Sequence, residues 1–370
     1  MQKLSFPSYK MTKFVLLGSG STLCRFYTML IKNNFPKPII VTHPKKFHKR
    51  DQYLYKNSKN FVDLFEFSKI NKIEIFESEK LNDQNFINSL LKLGCNAAFS
   101  ISCRTIIKKP LLNSFKNRVF NIHPSLLPEE KGAGILSWRI MNNKKYVAAT
   151  LHQIDEGIDS GPIIFQKKKF IATKHISPEY YSIKTDELYD ELLLQFLKKI
   201  KNDKFVFLKK QNDMNSTYFH RLYTEINAAI NWDWSNKEIE LFINAFGIPY
   251  PGAFTFVNDE KISIIKANSE ISSKYFHPYI YGKVIKIFVD GSVRVVTKNG
   301  FLRIHEISIN GKTVSASKLP CNAKMRKKGQ EVDVYASLIL ERKYTMARVH
   351  PNKSGMDRLS PGSCILASGS

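Results

Sequence analysis

The sequence predicts an α/β domain built on a mostly parallel sheet and followed by a small β-barrel. From residue 14 to residue 123, short apolar runs alternate with segments of helical apolar spacing, the order that lays helices on both faces of a parallel sheet. A long amphipathic segment at 185–202 then ends the alternation. Beyond residue 253 the chain changes to closely spaced strand-like runs divided by Gly turns, the pattern of an antiparallel sheet closed on itself.

Taken in order, residues 14–17 form a short apolar strand ending in Gly18-Ser19-Gly20-Ser21, and residues 22–32 carry helical spacing. Further strands are expected at 38–42, 72–76, 96–101 and 118–123, with helices at 58–69 and 83–93 between them. Runs at 147–152 and 162–166 supply the last strands of this domain. In the 185–202 helix, Thr185 is placed to cap, and Leu188, Leu192, Phe196 and Ile200 share one stripe. The mixed polar stretch at 203–231 reads as a connector. Ser235-Asn236-Lys237-Glu238 is a capping-box pattern that starts a short helix, stopped by Gly247 and Pro249. Five strands follow at 253–257, 262–266, 282–289, 292–297 and 301–309, with Asp290-Gly291 and Asn299-Gly300 as hairpin turns. The expected organisation is a first domain at 11–202, a connector at 203–231 and a barrel domain at 232–345. Residues 1–10 and 346–370 show no helix or strand period and are expected to be flexible ends.

At 370 residues and 43% hydrophobic content, the chain can bury two ordinary cores. No apolar run reaches the roughly 18 residues of a membrane span, and the first ten residues lack a secretory apolar stretch, so a cytoplasmic location is expected. Cys24, Cys95, Cys103, Cys321 and Cys364 are scattered, with no CxxC pair, and neither disulfides nor a metal site is expected. A formal charge of +25 favours a polyanionic partner such as tRNA or a nucleotide. The Lys residues, however, are spread along the chain rather than gathered in one block.

The chemistry concentrates in two segments. Asn121 and His123 alternate with Phe120 and Ile122 on an apolar strand, so both point to one face, and Pro124 ends the strand. His123 therefore falls at the carboxyl end of a strand, where sites collect in open α/β sheets. Asp159 lies in a Gly-flanked turn between the strands expected at 147–152 and 162–166, and pairing of neighbouring strands returns it to His123. An amide that donates to an oxyanion, an imidazole that takes an amine proton and a carboxylate that holds the imidazole are what acyl transfer to an amine requires. Each of these residues alone is an ordinary structural feature. Together they define the candidate site.

Further residues stand in register with that pattern. Asn121-x-His123-Pro124-Ser125-Leu126-Leu127-Pro128, Gly132, Trp138, Thr150-x-His152 and Asp155-Glu156-Gly157-Ile158-Asp159-Ser160-Gly161 together resemble the core of the 10-formyltetrahydrofolate-dependent formyltransferases, whose catalytic domain is Rossmann-like. The resemblance implies that Asn121, His123 and Asp159 are catalytic, with 10-formyltetrahydrofolate as co-substrate and no metal. It places folate contacts at Arg104, Ile106, Ile107, Gln153, Ile154, Asp155 and Gly157, and acceptor contacts at Ser125, Leu126, Leu127, Pro128, Gly132 and His152. In the carboxyl half, residues 230–232, 242–246, 249–254 and 262–267 resemble the OB-like barrel appended to methionyl-tRNA formyltransferases and some amino-sugar formyltransferases. Trp232, Trp234, Tyr250 and Phe254 are expected there as core packing rather than as base-stacking surfaces.

The acceptor implied by the resemblance is a primary amine on a nucleotide-linked amino sugar, with methionyl-tRNA as the alternative. The tRNA enzymes tend to carry a basic Pro-Asp-Arg-Pro loop after the second strand, where this chain reads His43-Pro44-Lys45-Lys46-Phe47. They also tend to have Ala at the position of Pro124, Arg-Gly-Ala-Ala-Pro at 131–135 and Met at the position of His152. Other classes fit less well. Gly18-x-Gly20 is followed by Leu23 where a dinucleotide fingerprint has its third Gly, and no acidic residue stands at 41–43. Formyltetrahydrofolate hydrolases carry an additional amino-terminal domain, for which the ten residues before Met11 are too few. A non-catalytic RNA-binding protein would leave Asn121, His123 and Asp159 idle.

Overall fold

A computed structural model describes residues 2–55, 58, 61–171, 176–257 and 260–326. The tail expected at 346–370 and the barrel end expected at 345 lie outside the described residues. In chain order the elements are β1 (Gln2–Ser5), β2 (Lys13–Gly18), α1 (Ser21–Lys32), β3 (Ile39–Thr42), α2 (Lys49–Tyr55), α3 (Leu64–Ile70), β4 (Ile75–Glu77), α4 (Gln84–Lys92) and β5 (Cys95–Ile101). There follow α5 (Lys109–Ser114), β6 (Val119–His123), β7 (Lys131–Gly132), α6 (Ile135–Met141), β8 (Tyr146–Gln153), β9 (Ile163–Phe170), α7 (Pro178–Asp203), β10 (Phe205–Leu208), β11 (Tyr218–Phe219) and α8 (Thr224–Asn227). The carboxyl part holds α9 (Asn236–Ala245), β12 (Ala253–Val257), β13 (Glu260–Ile271), β14 (Val284–Ile287), β15 (Val293–Thr297), β16 (Gly300–Ile309) and β17 (Lys312–Ser315).

The first sheet has the order β4-β3-β2-β5-β6-β8-β9, parallel from β4 through β6 and antiparallel at β6-β8 and β8-β9. Phe14, Val15, Leu16 and Leu17 are all fully buried, as a strand covered on both faces demands. On one face Leu23, Phe26 and Leu30 of α1 and Leu188, Leu192 and Phe196 of α7 pack with Phe99 and Phe120. Arg25 ties the two helices there, 2.8 Å from Asp186 and 3.1 Å from Asp190. On the other face Leu17, Leu90, Ile107, Leu111 and Val119 form a second cluster. Phe120 and Ile122 belong to the first face and Val119 to the second. The two-residue period of a strand therefore turns Asn121 and His123 toward the second face.

The second sheet is antiparallel, in the order β12-β13-β16-β15-β14, with β17 also on β16. Its hairpins fall at the expected Asp290-Gly291 and Asn299-Gly300, and the Ser235/Glu238 capping box starts α9. Trp232 and Phe254 are core residues, as expected, and the Trp232 indole donates to Thr255 Oγ1 at 3.0 Å. A sixth strand, β17, appears because Asn310 and Gly311 both adopt left-handed φ and turn the chain back. Residues 322–326 hydrogen-bond to Gly282 and Val284 beside β14, and also to Phe256 of β12.

Several expectations are corrected. Residues 2–5 are not loose: β1 pairs with β10, and Phe6 packs on Phe120 and Phe196. So short a run shows no period of its own, and its partner lies some two hundred residues away in sequence. The helix expected at 58–69 begins at Leu64, because Asp63 accepts from the Phe65 and Glu66 N–H groups. The long helix begins at Pro178, capped by Ser177, and Thr185 is an interior residue that donates to the Tyr181 carbonyl. The strands expected at 72–76 and 282–289 are Ile75–Glu77 and Val284–Ile287. The connector is also structured, for it contains β10, β11 and α8.

Candidate active site

β6 pairs with β8 so that Asn121 stands opposite His152 and His123 opposite Thr150, which puts Asn121 and His152 side by side on one face. The turn between β8 and β9 delivers Asp159 to the same place. His152 Nδ1–H donates to the Gln153 carbonyl at 2.9 Å, which leaves Nε2 to accept from Asn121 Nδ2 at 3.1 Å. The second Asn121 amide hydrogen goes to Asp159 Oδ1 at 3.3 Å. Asp159 Oδ2 accepts from the Gly132 N–H at 2.9 Å and lies 3.5 Å from His123 Nδ1. At the far side of that ring, His123 Nε2–H donates to the Glu130 carbonyl at 2.7 Å. Asp159 thus accepts from Asn121 and Gly132 and faces the Nδ1 lone pair of His123, an ion-pair contact in waiting rather than a hydrogen bond.

The electrostatics follow from burial and from these partners. Burial pushes the His123 imidazole below its usual pKa despite the opposing charge of Asp159. Burial also opposes ionisation of Asp159, yet its contact with His152, the nearby His123 and the Gly132 N–H hold the carboxyl at about 2. At neutral pH the site therefore holds an aspartate beside a neutral histidine. Its Nε2 proton is committed to Glu130, which leaves the Nδ1 lone pair free to take a proton.

The loop 124–134 is fixed from beneath. Ser125, fully buried, donates to the Glu130 carbonyl at 2.8 Å, and Thr150 donates to the Ser125 carbonyl at 2.6 Å. Leu127–Pro128 is a cis peptide bond; the Leu127 N–H donates to Thr150 Oγ1, and its carbonyl accepts from Gln166. The Glu130 carboxylate is buried on Arg139, whose Nη2 donates to the Tyr146 carbonyl at 2.5 Å. Gly132 adopts φ +100°, and a Cβ there would lie 2.1 Å from the Phe219 carbonyl, so only glycine fits this approach.

The structure brings together Asn121, His123, His152, Asp159 and the Gly132 N–H. Of the residues expected at the acceptor, Ser125 is buried with its hydroxyl on the Glu130 carbonyl, and Leu127 is buried with its backbone bonded to Thr150 of β8 and Gln166 of β9; Leu126 and Pro128 are partly exposed. Of the folate set, Ile107 and Ile154 pack in one apolar cluster, and Lys109 and Glu156 join the two segments at 3.1 Å. Ile107 is buried, the Gln153 amide donates to the Asn117 carbonyl, and Asp155 closes its own turn on Gly157 and Ser160. Ile106 and Gly157 are exposed, while Arg104 donates to the Phe47 carbonyl. Sequence reasoning missed Glu130, Arg139 and the connector residue Gln211, whose amide donates to the carbonyls of Asp159 and Gly161. No local signal marks them: Glu130 and Arg139 are near neighbours in sequence but read as ordinary charges, and Gln211 acts on a turn distant in sequence. Among the described residues no group of three or more His, Cys, Asp and Glu is arranged to hold a metal ion, and no described helix is long and apolar enough to cross a membrane.

A mostly parallel α/β sheet that carries an amide, an imidazole and a carboxylate at a strand end, followed in the chain by an antiparallel sheet, has the groups that acyl transfer to an amine requires. Residues 12–197 match the formyl transferase family, and residues 224–324 match the formyl transferase C-terminal domain. The chain belongs to this family and is a formyltransferase. It is 28% identical over 305 residues to the methionyl-tRNA formyltransferase of Buchnera aphidicola subsp. Acyrthosiphon pisum (strain Tuc7), covering 82% of this chain and 93% of that one. Its fold is like that of WlaRD, a sugar 3N-formyl transferase crystallised in the presence of dTDP and 5-N-formyl-THF. The TM-score is 0.57 at 24% identity, covering 82% of this chain and 99% of WlaRD. It is also like the N-formyltransferase from Helicobacter canadensis in complex with folinic acid and dTDP-3-aminofucose, with a TM-score of 0.57, 22% identity and coverage of 79% and 98%.

Proposed function

We propose that this chain transfers a formyl group from 10-formyltetrahydrofolate to the primary amine of a nucleotide-linked amino sugar, and that Asn121, His123 and Asp159 carry the step. The observation that supports it is the neutral His123, whose Nδ1 lies 3.5 Å from a fully ionised Asp159. As the amine attacks the formyl carbon, its proton passes to His123 Nδ1, and Asp159 stabilises the imidazolium that forms. Asn121 exchanges its longer bond, the one to Asp159 at 3.3 Å, for the developing oxyanion. The new C–N bond forms as the bond from the formyl carbon to the folate nitrogen breaks, and His123 returns the proton to that nitrogen. Folate, in this reading, lies against the segments of Ile107 and Ile154, which pack in one apolar cluster and are joined by the Lys109–Glu156 ion pair. In this reading residues 11–202 are the catalytic domain, 203–231 a connector and the second sheet an OB-like barrel, closed by the bonds of residues 322–326.

One observation favours the sugar acceptor: His152 is built into the network, at the position where the tRNA enzymes tend to carry Met. The second reading, methionyl-tRNA, is favoured by the near full-length match to the Buchnera enzyme and by the charge of +25. Incubation with labelled formyl donor and either methionyl-tRNA or a panel of nucleotide-linked 3- and 4-amino sugars decides between them. Label on a sugar nucleotide is expected, and label on tRNA alone overturns the preference.

A further inference from the structure

The turn that carries Asp159 is clamped from outside by the connector. Gln211 Nε2 donates one hydrogen to the Asp159 carbonyl at 2.9 Å and the other to the Gly161 carbonyl at 2.7 Å. The side chain is buried, and its Oε1 has no protein partner among the described residues. An apolar residue of the same volume would avoid burying that carbonyl, so what the glutamine contributes is the pair of N–H bonds. The turn needs such a hold. Asp159 stands at φ +52°, in the left-handed region that Asp enters more readily than most side chains but still at a cost relative to Gly, so contacts that hold the turn favour it.

The inner side of the turn is fixed by its own residues. Asp155 accepts from Gly157 and Ser160, and a Cβ on Gly161 would lie 1.9 Å from the Gln153 carbonyl. The outer side rests on Gln211. Gln211 is itself well placed, since Lys209 bridges to Ile163, Asp213 pairs with Lys131 at 2.8 Å, and β11 lies parallel to β7. The same stretch of connector thus borders both walls of the site, the loop of Gly132 and the turn of Asp159.

We propose that Gln211 is a positioning residue for formyl transfer, holding the Asp159 carboxylate between the Gly132 N–H and His123. This rests on the reading of Asp159 as the charge partner of His123. The test compares Gln211→Met, Gln211→Asn and Asp159→Asn in the full chain, by steady-state kinetics across pH with the labelled formyl donor and by thermal melting. Methionine keeps the volume without the donors, and asparagine keeps the amide without the reach. Either Gln211 variant that folds is expected to lose about 10- to 100-fold in kcat, the scale of a misplaced catalytic group, with KM for donor and acceptor unchanged. The acid limb of its pH profile is expected to move to lower pH, because His123 has lost part of the negative charge that favours its proton. Wild-type kcat and an unmoved acid limb, with Asp159→Asn inactive, overturn the role of Gln211 alone. An active Asp159→Asn overturns both that role and the reading beneath it.

Discussion

Two buried polar clusters meet at Glu130, and they are made differently. On one side of its carbonyl lie His123, Asp159, Asn121 and His152, joined by contacts of 3.1 to 3.7 Å in which most groups are shared. On the other side the Glu130 carboxylate pairs with Arg139, whose guanidinium also donates to the Tyr146 carbonyl and lies 4.5 Å over the Tyr146 ring. Long, shared contacts can be exchanged for a reacting group at little cost. Close, exclusive ones cannot, because a buried charge left alone is heavily penalised. The first cluster is therefore suited to chemistry, and the second to holding the loop against which the chemistry occurs.

The largest expected effect separates these roles outright. Asp159→Asn and His123→Ala are expected to lower kcat by on the order of 10³-fold, within the range of positioned acid–base and electrostatic groups, while circular dichroism and melting show an intact fold. A variant of either kind with wild-type turnover breaks the comparison on its catalytic side. Next comes the scaffold. Arg139→Met strands the Glu130 carboxylate and is expected to destabilise the protein by about 3 kcal/mol or more, read by urea unfolding. The double variant Glu130→Leu/Arg139→Met, which removes both charges, is expected to regain most of that loss. If the single change proves neutral, the pair is not holding the loop.

A third test uses acid. Asp159 titrates at about 2 in the folded chain, against 3.8 for the free group. A depressed carboxyl stabilises the fold above its unfolded pKa, and that stabilisation, about 2 kcal/mol, is lost as pH falls from about 4 through 2. His123 acts in the same direction in a higher window. Its folded pKa lies below 6.5, so the unfolded chain takes up a proton first and stability begins to fall as pH drops through 6.5. Unfolding free energies measured at a series of pH values are expected to decline in both windows, and Asp159→Asn is expected to flatten only the lower one.

The difference between the clusters also explains what the sequence disclosed. Asn121, His123 and Asp159 were legible because strand alternation, a terminating Pro and a Gly-flanked turn are local features, and pairing neighbouring strands was enough to bring them together. Glu130 and Arg139 were not, since nothing local distinguishes a buried ion pair from two surface charges. Gln211 lay in a polar stretch whose short strands pair with residues from 131 to 132 and from 2 to 5, so its structure comes wholly from distant partners. The parallel sheet could be read from its buried runs and the second sheet from its Asn-Gly and Asp-Gly turns. The missed cap at Ser177 shows the limit: Tyr181 already continues the buried stripe of Thr185, Leu188 and Leu192, and a single Ser-Pro step set the boundary.

The smallest expected effect falls on the atom where the clusters join. Ser125 donates to the same Glu130 carbonyl that receives His123 Nε2–H, and the family resemblance places Ser125 among acceptor contacts. Its burial argues otherwise, for a hydroxyl already engaged beneath the loop has no hydrogen to offer a substrate. Ser125→Ala is therefore expected to cost about 1 kcal/mol of stability, the net value of one buried hydrogen bond, with KM for the acceptor unchanged and kcat altered less than about threefold. The Glu130 carbonyl keeps its bond from His123, so the imidazole retains its orientation. A rise in acceptor KM without loss of stability would move Ser125 from the scaffold to the binding surface. It would also mean that the loop above the ion pair opens during turnover.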